Sequence, residues 1–140
     1  IAVENGKILL HKTKNDTFWS LPGGRAEMFE FSRETLLREL MEETGMLVEV
    51  GNLTWIVENF FEYNGERYHE LGFYYQMKFV SLPDQGEFTC VDGDNELLFR
   101  WVDLEDLFLL RIYPEFITSE LLLSPQSISH FTIAFQNLHQ

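Results

Sequence analysis

The stretch that most restricts this chain runs from Ser32 to Gly45, SRETLLRELMEETG. Ser32 is a candidate N-cap and Gly45 a left-handed stop, so the spacing predicts one helix between them. Leu36, Leu40 and Met41 offer an apolar stripe, which anchors that helix beside a sheet. Glu39, Glu42 and Glu43 stand at i, i+3 and i+4, so their carboxylates share a face and repel one another. They also occupy the C-terminal half of the helix, where the macrodipole disfavours negative charge. A cluster set against both rules calls for a compensating cation. Oxygen ligands of this kind select Mg²⁺, Mn²⁺ or Ca²⁺ rather than Zn²⁺. Taken alone, such a triplet also reads as a solvated acidic face, because surface helices are rich in glutamate.

The rest of the chain supplies strands. Asn5-Gly6, flanked by Val3 and Lys7 to His11, and Asn64-Gly65, between Leu53–Glu62 and Tyr68–Val80, are hairpin signals. In the second hairpin His69, Leu71, Phe73, Tyr75, Met77 and Phe79 alternate onto one face. A short extended piece, Phe18 to Leu21, ends at Pro22-Gly23-Gly24. Leu97 to Val102 reads as a further strand leading into the acidic, leucine-rich Asp103-Leu104-Glu105-Asp106. Pro114 to Leu122 reads as a second helix and Ser127 to Phe135 as a last strand. Strands interrupted by helices argue for an α/β or α+β fold with a mixed sheet. No repeat or linker divides the 140 residues, so one domain over 1–140 is expected.

Composition narrows the partners. The net charge is −13, from 23 acidic and 10 basic residues, so nucleic-acid polymers and anionic membranes are discounted. A small phosphorylated substrate would be repelled too unless cations were recruited to meet it. No apolar run in the sequence reaches the length of a membrane span, and neither a span nor a leader is expected. A lone cysteine, Cys90, suits a reducing, cytoplasmic setting. The chain opens at Ile1, with little before the first turn, so a few residues are expected upstream. A homodimer is left open.

The residues around the glutamates decide between the two readings of the helix. Gly24, Glu30, Arg38, Glu39, Leu40, Glu42, Glu43, Gly45 and Met46 match G-x5-E-x7-R-E-U-x-E-E-x-G-U, with U apolar, at every position. Seven fixed residues at about one in fifteen each match by chance roughly once in 10⁸ trials. The stretch 24–46 therefore resembles the box of the Nudix hydrolases. Leu21-Pro22-Gly23-Gly24 is similar to the lead-in of the MutT-like branch, and Trp101-Val102-Asp103 to the end of its closing strand.

The resemblance implies a three-layer α/β/α sandwich with a mixed β-sheet and the box as loop-helix-loop. It implies Mg²⁺, with Mn²⁺ as substitute, and hydrolysis of a phosphoanhydride bond in a nucleoside diphosphate linked to another moiety. Glu39, Glu42 and Glu43 would ligate or orient the metals, with the carbonyl of Gly23 as a further ligand. Arg38 would pair with Glu30, a structural role that fits a guanidinium fork, with Gly24 and Gly45 supporting the box. Arg25 is a candidate for a substrate phosphate, against an ordinary surface arginine. Glu96 is the candidate for a carboxylate outside the box, with Asp92 and Asp94 close behind; which acid activates the water is open.

Phe29-Glu30-Phe31 replaces the Gly-Glu-Ser/Thr found in many members, so this loop is expected to pack differently or line a pocket. Phe60, Phe61, Tyr63, Tyr68, Tyr74 and Tyr75 on the two long strands are candidates for stacking a base, Phe60 and Tyr63 foremost, against ordinary sheet core. Tyr63 follows Met46 by 17 residues, near a tyrosine of diadenosine-polyphosphate hydrolases. Those enzymes usually carry Pro-Lys-Gly where this chain has Pro22-Gly23-Gly24, which argues against that substrate. His69 and Glu70 sit mid-hairpin within reach of a pocket, whereas His11, His130 and His139 show no metal-ligand spacing. Two rivals remain: a non-catalytic Nudix-like nucleotide sensor, and an acidic ion-binding protein. The latter leaves Gly24, Arg38 and Gly45 unexplained.

Overall fold

The structure is a computed structural model that describes residues 1–81, 86–123 and 127–138. Val3–Glu4 (β1) and Lys7–Thr13 (β2) turn on Asn5 and Gly6, whose φ angles of 52° and 75° suit a two-residue hairpin turn. The same chemistry, Asn64 and Gly65 at 52° and 78°, joins Val48–Tyr63 (β3) to Glu66–Phe79 (β4). Between β2 and β3 lies the helix Ser32–Thr44 (α1), closed by Gly45 at φ 70°. Glu87–Asp92 (β5) and Asn95–Asp103 (β6) form a third hairpin. A 3₁₀ helix at Leu104–Leu109, the short helix Ile117–Glu120 (α2) and Ser129–Asn137 (β7) complete the chain.

The strands form two groups, ordered β1-β2-β6-β5 and β4-β3-β7. Met77 N–H donates to the Ile1 carbonyl at 2.9 Å and stitches one group to the other. Among the strand pairings of the described residues, β3–β7 is parallel and the others antiparallel, so the sheet arrangement is mixed. Along β2, Ile8 and Leu10 bury on one face and Leu9 on the other, as a strand covered on both sides requires. One core joins Leu9, Phe99 and Trp101 to Leu40 of α1 and to Met77 and Phe79. The opposite core joins Ile8, Leu10 and Val102 to Trp55, Val57, Leu107, Ile112 and Ile117. The layers are thus α/β/α, but unequal: α1 covers one face, and the 3₁₀ helix with α2 covers the other.

Several sequence expectations need adjusting. Ser32 is the first helical residue and not the cap; Phe31 takes that place, its N–H donating to the Glu34 carboxylate at 3.2 Å. The Ser32 hydroxyl instead meets the Tyr75 hydroxyl at 2.6 Å, which pins the start of α1 to β4. On α1 the packed face is Leu36, Leu40 and Glu43 rather than one including Met41, which is exposed. At 100° per residue Met41 lies roughly opposite Glu39, outside the buried arc. The helix expected over Pro114–Leu122 shrinks to Ile117–Glu120. The β5 strand was not anticipated.

Register shifts between Val50 and Leu53 and between Leu53 and Trp55 insert extra residues into β3. The bulges switch which β3 side chains face α1. Of the alternating set on β4, Met77 and Phe79 are buried beside α1, whereas Leu71 and Phe73 on the same face are exposed. No helix among the described residues is long and apolar enough to cross a membrane.

Candidate active site

The box is a loop tied to the helix that follows it. Arg38 Nε and Nη2 fork onto Glu30 at 2.7 and 3.0 Å, and Nη2 also donates to the Arg25 carbonyl at 3.0 Å. Glu30 accepts a further bond from the Thr35 hydroxyl at 2.7 Å. Hydrogen bonds from Arg38 and Thr35 hold its carboxyl down at about 2, well below the usual range. The Glu30 contacts in turn raise Arg38 above its already high value. Phe29, inside this loop, is almost fully exposed at φ 67°, a conformation that costs a side chain energy and that the closed loop imposes. Met28 and Phe31 beside it are exposed as well, so the apolar residues of the loop neither pack inward nor line an enclosed pocket.

Gly24 leaves room for the Glu39 side chain. A Cβ at this position would fall 2.1 Å from the carboxyl carbon of Glu39, so the backbone lies directly against that side chain. Glu39 is thereby confined between the Gly24 backbone and Arg38, whose Nη1 donates to Glu39 Oε1 at 2.9 Å. The same Nη1 donates to Glu42 Oε2 at 3.1 Å. The expected mutual repulsion of the glutamates is therefore partly compensated inside the protein.

Glu43 has no such relief. It falls between Leu36 and Glu39 on the helix wheel, within the packed face, and is only 7% exposed. Its Oε2 is buried with no hydrogen-bond partner among the described residues. Burial first, then the charges of Glu39 and Asp92, push its carboxyl up to about 8.

Asp92 comes from β5. Register pairs Phe88 with Phe99, Cys90 with Leu97 and Asp92 with Asn95, so these share one face, and Phe88, Cys90 and Leu97 pack beside Leu40. Val91 pairs with Glu96, one residue out of phase, so both point to the opposite face. Of the off-box candidates, Asp92 therefore lies on the face turned toward α1, and Glu96 on the face turned away from it. The sequence named both acids but could not assign their faces, because β5, flanked by acids and a glycine turn, was not recognised as a strand.

The aromatic candidates separate in the same way. Phe60 lies on the outer face of the hairpin, edge-on to His69 at 4.6 Å, away from Phe61 and Tyr63. Tyr63 packs edge-on against Phe18 at 6.2 Å and its hydroxyl donates to Asp16 at 2.8 Å. Neither is shown against the box. Phe61 stacks on Tyr68 at 5.0 Å and 11°, and the Arg25 guanidinium lies 5.6 Å over the Tyr68 ring. Arg25 also offsets the effect of burial on Glu70, whose carboxyl is raised. The box loop thus reaches the hairpin through Arg25, and register places Phe61, Tyr68 and Glu70, each a candidate from the sequence, on one face. His130 pairs with Glu58 at 2.8 Å on the outer surface, and His139 lies outside the described residues.

A carboxylate-bearing helix, a glycine-backed loop and a mixed sheet covered on both faces define a box-and-sandwich fold. The NUDIX domain model matches residues 1–119, and the chain belongs to that family. The putative mutator protein MutT4 of Mycobacterium tuberculosis (strain CDC 1551 / Oshkosh) is 33% identical over 90 residues, covering 64% of this chain and 34% of that protein. The putative 8-oxo-dGTP diphosphatase of Bacillus subtilis (strain 168) is 48% identical over 42 residues, covering 30% and 28%. A solved structure, the MutT NUDIX hydrolase of Burkholderia pseudomallei, superposes with a TM-score of 0.67 at 29% identity over 87% of this chain and 94% of that one. The matched stretch spans only about a third of the curated relatives' length.

Proposed function

We propose that this chain hydrolyses a phosphoanhydride bond in a nucleoside diphosphate linked to another moiety, with Mg²⁺ held by Glu39, Glu42 and Glu43. The observation that carries the reading is Glu43: a carboxylate buried in an apolar face, with an unpartnered oxygen and two acidic neighbours. Leaving such a group unpaired costs a protein several kcal/mol unless a cation or proton satisfies it. The donor set fits a divalent ion, since every candidate ligand is a hard oxygen and the Gly23 carbonyl is adjacent to the box. Among the described residues no three acidic, histidine or cysteine side chains close into a finished metal cage. Nη1 of Arg38 instead holds one oxygen each of Glu39 and Glu42.

An ion bound there would neutralise the diphosphate and acidify a water. The protein's own groups supply the rest. Gly24 lets Glu39 stand against the loop backbone, and the Arg38–Glu30 fork keeps loop and helix in one geometry. Asp92 adds the off-box carboxylate, facing Glu43 from β5. Arg25, anchored through its carbonyl, presents a guanidinium to an incoming phosphate from beside Tyr68. The Phe61–Tyr68 pair, beside the Arg25 guanidinium, is suited to a base or ribose face. A small nucleotide is the substrate in this reading, and nucleic-acid polymer is not.

The test is a panel of oxidised and ordinary nucleoside triphosphates, ADP-ribose, nucleotide sugars and dinucleoside polyphosphates, incubated with Mg²⁺ and analysed for products. Release of a nucleoside phosphate by scission between phosphorus atoms supports the proposal. Tight nucleotide binding without turnover on any member would support a sensor instead.

A further inference from the structure

Arg38 makes more contacts than a structural ion pair requires. The Nε and Nη2 fork onto Glu30 already ties loop to helix. Nη1 is left over, and it sits between Glu39 Oε1 at 2.9 Å and Glu42 Oε2 at 3.1 Å, with Glu27 at 3.9 Å. These two oxygens belong to two of the three carboxylates assigned to the ion.

We propose that Nη1 of Arg38 is a resident counter-ion for the box glutamates, which a divalent ion must strip of Glu39 and Glu42 while the Glu30 fork stays closed. The proposal rests on the metal reading above. Its physical basis is competition: an N–H donor and a divalent ion seek the same carboxylate lone pairs, and two cations sharing them repel each other. One guanidinium faces four carboxylates here, so it balances the cluster only in part. The direction of the exchange follows from rigidity. A guanidinium is one plane, so with Nε and Nη2 fixed on Glu30, Nη1 cannot swing away alone. The carboxylates must move instead. Glu42, with its side chain 57% exposed, has room to turn, whereas Glu39 is hemmed in by Gly24 and can only rotate in place. Arg38 is then a positioning residue that parks the ligands one rotation from their working orientation.

The experiment is arginine-selective NMR of the intact wild-type chain, following the Arg38 Nε–H and Nη–H signals during titration with Mg²⁺ alone. Melting temperature is read on the same samples as an independent measure of ion binding. The expected result is that Nη1 protons exchange with water at least tenfold faster at saturation, with the midpoint seen in the melting curves, while Nε–H stays protected. Saturating Mg²⁺ that raises the melting temperature but leaves Nη1 protected would overturn the proposal, the ion then using the other carboxylate oxygens. Loss of Nε–H protection would overturn it differently, because the whole fork would have opened. If Mg²⁺ changes neither melting nor any box resonance, the metal reading itself fails and this inference falls with it.

Discussion

Glu43 and Asp92 carry the sharpest consequences at the level of single residues. Because the folded protein raises the Glu43 carboxyl to about 8, the metal-free fold prefers the protonated form. Its contribution is intact below the unfolded value near 4.5 and is lost as pH rises through about 8. Metal-free protein should therefore melt at progressively lower temperature from pH 5 to pH 9, and Mg²⁺ should flatten that decline. Glu43→Gln, neutral at every pH, should remove most of the slope and gain roughly 1–2 kcal/mol over the parent at pH 9 without metal. A variant as pH-sensitive as the parent would show that another group sets the slope. For the off-box acid, Asp92→Asn should lower turnover at least tenfold, about 1.4 kcal/mol of barrier. Glu96→Gln, on the opposite face of the hairpin, should stay within about twofold; the reverse ranking would return the role to Glu96.

Among the elements, the loop and α1 act as one unit. Gly24→Ala drives a methyl group into the Glu39 carboxyl, so either the loop lifts or Glu39 leaves its place. The expected outcome is at least a tenfold loss of turnover, again about 1.4 kcal/mol, with a circular dichroism spectrum like the parent's. Unchanged turnover would mean that Glu39 need not approach the backbone. This element was legible in sequence because its constraints are local: a glycine stop, an i, i+3, i+4 triplet and fixed loop spacings. The two Asn-Gly hairpins and β6 were legible for the same reason. What escaped were properties fixed at a distance. The β3 bulges decide which face each aromatic takes, and nothing in the alternation of Leu53 to Glu62 announces them. Asp92 and Glu96 are both acids near one turn; only pairing across β5 and β6 separates them. Pro114–Leu122 has helical periodicity, yet only Ile117–Glu120 is helical.

For the whole molecule, the two cores are built without any contribution from the glutamate cluster beyond the seat of Glu43. Removing metal should therefore abolish turnover while leaving the fold in place. Excess EDTA should stop hydrolysis at once, with the near-ultraviolet spectrum retained and activity restored by Mg²⁺ or Mn²⁺. Full turnover in chelator would exclude a metal role, and collapse of the spectrum would make the ion structural.

The parallel pairing of β3 with β7 also sets an order of events during synthesis. Trp55 takes Ser129 as its partner, and β7 ends at Asn137, 58 residues after β4 ends at Phe79. At about 5–20 residues per second, a ribosome needs roughly 3–12 s to supply them. Throughout that interval the nascent hairpin exposes a long strand edge and the indole of Trp55, one of the most deeply buried side chains of the finished protein. The chain is thus most exposed to mispairing before this strand exists, and conditions that slow elongation between Phe79 and Asn137 lengthen that risk.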